Sequence, residues 1–276
     1  MNTFGRSFRL VKESYSVLKK DKELMLFPII SGVAGIILLA SFLIMMFSAS
    51  LFGDAGNLVG YLITFLYYLL SYFIIIFFNT GLIACANIRL NGGDPKFKDG
   101  IDIALKNIGK IFAWALISAT IGMILRWLSE KSGFIGRIII GLIGMAWSLL
   151  TFFVLPVMIL EKASVTDSIK KSGALFKKTW GENVVGQFSM GLVFFLLALL
   201  GIIPLGIAVL SAMSGSLPIM VVFIGITFLY WLVLGILNAS LNGIFLAALY
   251  NYASKGTVVS GFSEESIKGA WTPKRT

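Results

Sequence analysis

The chain of 276 residues has no histidine and a single cysteine, Cys85. It therefore lacks the commonest metal ligand and the commonest general base together. One cysteine also excludes an internal disulfide or a cysteine-based metal cluster. Charge is scarce: Asp, Glu, Lys and Arg make up 13% of the residues, against roughly 25% in soluble domains. The charge that remains is mostly of one sign, with a formal net charge of +10 and a pI near 9.7. In a soluble protein that balance would suggest nucleic acid. Here the basic residues sit in short segments between uncharged runs and no nucleic-acid motif is present, so an anionic lipid surface is the counterpart they fit. The sequence also lacks a Walker-type phosphate loop, a nucleophile elbow and paired carboxylates on a membrane-facing helix. We expect a non-enzymatic protein with no cofactor and no bound metal.

What the chain has in abundance is apolar sequence: 58% of its residues are hydrophobic and the mean hydropathy is +0.92. That composition defines an integral membrane protein. Six apolar runs, at 24–52, 58–88, 111–128, 138–160, 184–212 and 219–252, each approach or exceed the roughly 20 residues that span a bilayer core. The first is longer than the roughly 7–15 residues of a signal-peptide core, so no cleaved signal is expected. Pro28 and Pro156 fall near span ends, and Pro204 inside the fifth run predicts a kink.

Three basic amphipathic segments precede pairs of runs. In the first, Phe4, Phe8, Val11, Tyr15 and Leu18 recur at helical spacing. The second follows the turn Asn91-Gly92-Gly93, with Asp94 as N-cap, Pro95 at the first helical position, and Phe97, Ile101, Ala104, Leu105, Ile108 and Phe112 on one face. The third, 164–183, opens with Ser164 and Asp167 as a capping box and carries Val165, Ile169, Phe176 and Trp180. The expected fold is all-α, a polytopic transmembrane helix bundle. It has six spans in three pairs, each pair preceded by a cytoplasmic amphipathic helix, in a pseudo-threefold repeat. The chain is a single integral membrane domain with units at about 1–93, 94–161 and 162–256 and a cytoplasmic tail at 257–276. Asp99-Gly100-Ile101 and Asp167-Ser168-Ile169 occupy equivalent places, and Asn79, Ala84 and Gly93 match Asn242, Ala247 and Gly256 at one constant spacing. All but Arg126, Lys131 and Arg137 of the 23 Lys and Arg fall on one side of this assignment. Both termini and the three surface helices are thereby expected in the cytoplasm, the protein being multi-pass in the plasma or inner membrane.

The stretches LFKKTWGENVVGQF, DKELMLFPIISG and ALYNYASKGTVVSGFSEESIKGAW resemble a family of bacterial and archaeal integral membrane proteins known only as a domain of unknown function. The resemblance spans nearly the whole chain. The arrangement is similar, more distantly, to the membrane domain attached to some glycerophosphodiester phosphodiesterases, although this chain has no room for that catalytic domain. The resemblance implies the architecture and supplies no catalytic residue.

Apart from Arg126 near a span end, no span contains a charge, which argues against an ion path, proton relay or voltage sensor. The intramembrane polar set is Asn79 and Thr80 with Asn238, Ser240 and Asn242; it either lines a cavity or bonds helices together. Gly235, Ala239, Gly243 and Ala247 form a ladder of small residues that packs within the chain or against a second copy in a homo-oligomer. Arg126, Glu130, Lys131 and Arg137 make either a vestibule for an anion or a local ion pair. The surface helices present Lys12, Lys19, Lys20, Lys98, Lys106 and Lys110, and on the third Lys170, Lys171, Lys177 and Lys178, as candidate contacts to anionic lipid. Two functions stay open: permeation of a small or lipid-like solute, and a scaffold that organises lipid and partner proteins.

Overall fold

The computed structural model describes the backbone of residues 3–51, 58–178 and 180–268, and the side chains of these except 3–7, 49–51, 58–59, 180–189, 265 and 268. Twelve α-helices are described: α1 (Thr3–Lys20), α2 (Leu26–Leu51), α3 (Leu58–Leu90), α4 (Phe97–Lys106), α5 (Ile108–Lys131), α6 (Phe134–Leu150), α7 (Val154–Leu160), α8 (Val165–Lys178), α9 (Trp180–Leu200), α10 (Ile202–Met213), α11 (Leu217–Lys255) and α12 (Glu264–Lys268). A single 3-10 turn, Lys22–Met25, joins α1 to α2. The expected turn at 53–57 and the side chains of Phe4 and Trp180 lie outside the described residues.

Uncharged apolar runs fold as helices in a bilayer because every backbone N–H and C=O must be satisfied within its own segment. Six segments are long and apolar enough to cross a membrane: Lys22–Ser48, Gly60–Leu90, Ile108–Lys131, Phe134–Leu160, Met190–Met213 and Leu217–Lys255. The turn after α3 closes with Gly92 at φ 91 and with the Gly93 N–H bonded to the Ile88 carbonyl at 2.9 Å, a glycine-dependent helix stop. Gly256 at φ 71 ends α11 in the same left-handed way. The 39 residues of α11 reach about 58 Å at about 1.5 Å per residue. The excess over the membrane core is absorbed by extension, because the helix is unbroken and its Ile244, Phe245 and Leu249 are buried at the end that carries the short helices.

Two spans are broken. The fourth stops at Leu150 and resumes at Val154, a break we did not expect, with Pro156 at the third position of the new helix where its missing N–H is harmless. Ser172 of α8 bridges the gap: its hydroxyl accepts from the Phe153 N–H at 2.9 Å and donates to the Leu150 carbonyl at 2.7 Å. The fifth span breaks at Gly201, and Pro204 is again third in the resumed helix. There the Trp231 Nε1–H donates to the Ala198 carbonyl at 3.2 Å and the Tyr230 hydroxyl to that of Leu197. Residue 201 must be small, since a Cβ would lie 2.9 Å from Trp231 Cε2 and 3.0 Å from Tyr230 Cδ1.

The short helices α1, α4, α8 and α12 join the spans at one end of the bundle, where much of the buried core also lies. Helix α4 rests on α3, α8 on α7, and α1 on α9 and α11. The α3–α4 crossing is close because Gly100 has no side chain; a Cβ there would stand 2.8 Å from both Cys85 Sγ and the Gly81 carbonyl. Three expected details differ. Helix α4 starts at Phe97, after Asp94 and Pro95, because Asp94 pairs with Arg89 and Asp99 instead accepts the Lys96 N–H at 2.8 Å. The chain breaks at Asn107, so Leu105, Ile108 and Phe112 leave the packed face and are exposed. On α1 the buried face is Leu10, Ser14, Val17 and Leu18, whereas Phe8 and Tyr15 are exposed beside an apolar groove against α9 and α11. Half of the capping box expected for α8 is present, the Asp167 N–H reaching Ser164 Oγ at 3.1 Å, while the Asp167 carboxylate accepts from the Ser164 hydroxyl at 2.6 Å. Beyond α11 the described part of the tail packs on the bundle: Val259, Phe262 and Ile267 are buried, and the Ser266 hydroxyl donates to Glu13 of α1 at 2.9 Å.

Candidate functional site

Within the spans, Asn238 and Asn242 share a face of α11, the Asn242 Nδ2 donating to Asn238 Oδ1 at 2.6 Å. The same Nδ2 also donates to the Asn238 carbonyl at 2.9 Å, so the Asn242 amide group bonds within its own helix. Ser240 is buried and returns its hydroxyl to its own helix, at the Ile236 carbonyl. Thr80 is fully buried, and its hydroxyl has no hydrogen-bond partner among the described residues. Asn79 is half-buried on the same turn of α3. The small-residue ladder divides in two. Gly243 lies against Leu82 of α3, whose Cγ would be 2.7 Å from an added Cβ, and Ala247 is buried, while Gly235 has open space around it.

The polar bond between α3 and α11 falls on residues that sequence reasoning passed over. Asn251 Nδ2 donates to Asn87 Oδ1 at 2.7 Å, and Asn91 Nδ2 donates to the same oxygen at 3.2 Å. The available signal was the position of Asn87 two residues before Arg89, where an apolar helix turns polar. Arg89 itself bonds Asp21 at 3.2 Å and also Asp94, joining the α1–α2 turn to the α3–α4 turn. Burial pushes the Asp21 carboxyl above its ordinary range, and Arg89 offsets only part of that shift. Glu23 reinforces the joint by accepting the Phe97 N–H.

A third polar group ties α7, α8 and α11. Glu161, just past α7, accepts from the Tyr250 hydroxyl at 2.6 Å and pairs with Lys171. Burial alone would raise the Glu161 carboxyl, but the Lys171 and Tyr250 hydrogen bonds outweigh it and hold the group below its usual range. Between these helix ends are two cavities that share Asn87 and Leu160. One, of about 550 Å³, lies between α3, the α4–α5 junction and the end of α7, and has Lys106, Lys110 and Lys162 in its wall. The other, of about 380 Å³, contains Glu161, Lys171, Tyr250 and Lys255.

All four lysines expected on α8 are exposed; Lys171 pairs with Glu161 and Lys178 bonds the Ala253 carbonyl at 3.3 Å. At the opposite end of the bundle Arg126 pairs with Glu130 at 2.8 Å and bonds the Tyr68 hydroxyl, while Lys131 sits 4.3 Å from the Trp127 ring. This is a local charge cluster beside a cavity of about 360 Å³ that also contains Tyr61. Among the described residues no three carboxylate, thiol or imidazole groups gather as metal ligands would.

A chain that is helical throughout its described elements and carries six helices long and apolar enough to span a bilayer is a multi-pass membrane protein. It belongs to a family of unknown function, DUF6159, whose model matches residues 58–262. No curated protein and no solved structure matches the chain, so the similarity is not extended to glycerophosphodiester phosphodiesterases.

Proposed function

We propose that this is a non-enzymatic protein of the plasma or inner membrane, with both termini cytoplasmic, that binds and organises anionic lipid through a collar formed by α1, α4 and α8. The observation that carries this reading is the outward exposure of Lys170 and Lys177 on α8 and of Lys19 and Lys20 at the end of α1, on helices whose opposite faces are buried in the bundle. Each such lysine near an anionic headgroup surface adds about 1 kcal/mol of attraction. The packing of α4 on α3, of α8 on α7 and of α1 on α9 and α11 supports reading the three as one collar. On this reading the distant resemblance to the phosphodiesterase membrane domain reflects shared architecture alone.

The test is to reconstitute the protein in bilayers of mixed neutral and anionic phospholipid and measure the composition of its boundary lipid by quenching with brominated lipids. Enrichment of the anionic species is expected, weakened by salt as the screening length falls below about 10 Å and reduced in the Lys170→Gln/Lys177→Gln variant. Equal boundary composition at low salt would refute the proposal. A second reading, permeation of a small or lipid-like solute, is favoured by the buried Thr80 hydroxyl that lacks a partner beside Asn79. If replacing Asn79, Asn238 and Asn242 with leucine leaves a reconstituted flux unchanged, that assignment is wrong. Exposure of Gly235 leaves room for a homo-oligomer contact there.

A further inference from the structure

The cavity of about 550 Å³ between α3, the α4–α5 junction and the end of α7 has a wall of two kinds. Ile103 and Leu160 belong to its apolar part, whereas Lys106, Lys110 and Lys162 supply three cations, and no carboxylate belongs to its lining. Asn87 sits where this cavity meets its neighbour. Its amide oxygen already accepts from Asn91 and Asn251, so its NH2 is the group left to donate.

Lys162 is held there by a backbone that lysine rarely adopts. It is the one non-glycine residue with positive φ, at 57, among the described residues, a strained conformation that persists only where surrounding structure enforces it. The enforcing group is Lys110, whose Nζ donates to the carbonyls of Lys162 at 2.8 Å and Ala163 at 2.9 Å. One lysine of the cavity thus clamps the strained linker that presents another. Lys106 and Lys162 are exposed, and no described ion pair neutralises either of them.

We infer that this cavity binds one phosphate group, presented by a lipid headgroup or by soluble phosphate. Lys106, Lys162 and the Asn87 amide are its donors. Two cations and a neutral N–H donor suit a phosphate oxygen set, and the apolar wall suits the first segment of an attached acyl chain. The inference takes its lipid source from the collar reading, but its geometry is separate: the collar predicts a diffuse, salt-sensitive shell, and the cavity predicts a single occupant.

The test uses the full chain in phosphatidylcholine nanodiscs. Native mass spectrometry counts bound dioleoylphosphatidic acid, and calorimetry follows inorganic phosphate in parallel. Saturable one-to-one binding of either probe is expected, weakened about tenfold or more in Lys106→Gln/Lys162→Gln and unchanged in the collar variant Lys170→Gln/Lys177→Gln. Phosphatidic acid retained against excess inorganic phosphate identifies the lipid as the source, and displacement by inorganic phosphate identifies the soluble ion. Lys162→Gly, which relaxes the backbone, keeps the test informative if the double variant folds poorly. It too should lose affinity while gaining stability. Absence of one-to-one binding by both probes, or equal binding in Lys106→Gln/Lys162→Gln, overturns the inference. Loss of boundary-lipid selectivity with one-to-one binding intact would refute the collar and leave the cavity standing.

Discussion

Replacing Ser172 with alanine tests how the fourth span survives its own break. The chain leaves the helix at Thr151 and re-enters it at Val154, and this orphans the Phe153 N–H and the Leu150 carbonyl. One hydroxyl satisfies both, at 2.9 Å and 2.7 Å, and both Ser172 and Phe153 are fully buried. A buried polar group left unpaired costs about 1–3 kcal/mol, so Ser172→Ala should destabilise the protein by about 2–5 kcal/mol. The control lies one turn away. Ser168 is equally buried, but its hydroxyl bonds the Ser164 carbonyl of its own helix entry at 2.6 Å. That carbonyl also receives the Ser168 N–H at 2.9 Å. Ser168→Ala should therefore cost under about 1 kcal/mol. Both variants delete the same atom from the same helix, so side-chain volume does not separate them. Reversible unfolding in mixed micelles, followed by tryptophan fluorescence, reads the difference directly. If the two variants unfold at the same denaturant level, the break is not held by Ser172 and its backbone groups have found another partner.

Three further outcomes follow from the packing and the charges. Gly243→Leu should destabilise the protein by about 1–3 kcal/mol through its clash with Leu82, while Gly235→Leu should leave stability unchanged; a shift of the Gly235 variant from oligomer to monomer in detergent would place a copy–copy contact there. Tyr230→Phe and Trp231→Phe should each cost about 1–2 kcal/mol in thermal unfolding by stripping a donor from the kinked fifth span, and unaltered melting would show that the kink does not need them. The Lys171 and Tyr250 hydrogen bonds hold the Glu161 carboxyl below its ordinary range in the folded protein, so its contribution is complete above the unfolded value and is lost as the pH falls through the lowered folded value. The stability gap between wild type and Glu161→Gln should be flat near neutrality and close in acid; a gap that widens in acid contradicts the sign.

The six spans were legible because length and uniform apolarity alone decide what can cross a bilayer, and Ser164 with Asp167 fixed the start of α8 because N-capping is local chemistry. The breaks were less legible. Pro204 pointed to the fifth-span kink, but the fourth-span break depends on Ser172, a residue that reads as an ordinary small position until α8 lies across α7. Helix periodicity identified apolar faces without saying which neighbour would cover them, and so Leu18 was placed inside while Phe8 and Tyr15 stood in for the buried Leu10 and Val17. Within the polar set the asparagine pair on α11 was found, since Asn238 and Asn242 are one turn apart. The bond between helices fell instead to Asn87 and Asn251, far apart in sequence and at span ends, where polar residues attract no notice. Lys162 was unreadable for a different reason: a left-handed lysine has no compositional signature.

The seat of α1 has a consequence in time. This helix buries Leu10, Val17 and Leu18 against α9 and α11, and Glu13 receives the tail serines Ser263 and Ser266. All of these partners are synthesised long after it. At roughly 5–20 residues per second, α1 waits on the order of ten seconds or more before its partners emerge from the ribosome. The packing of the short helices is therefore completed around its oldest member, and a chain stopped before α9 would leave that helix without a place to dock.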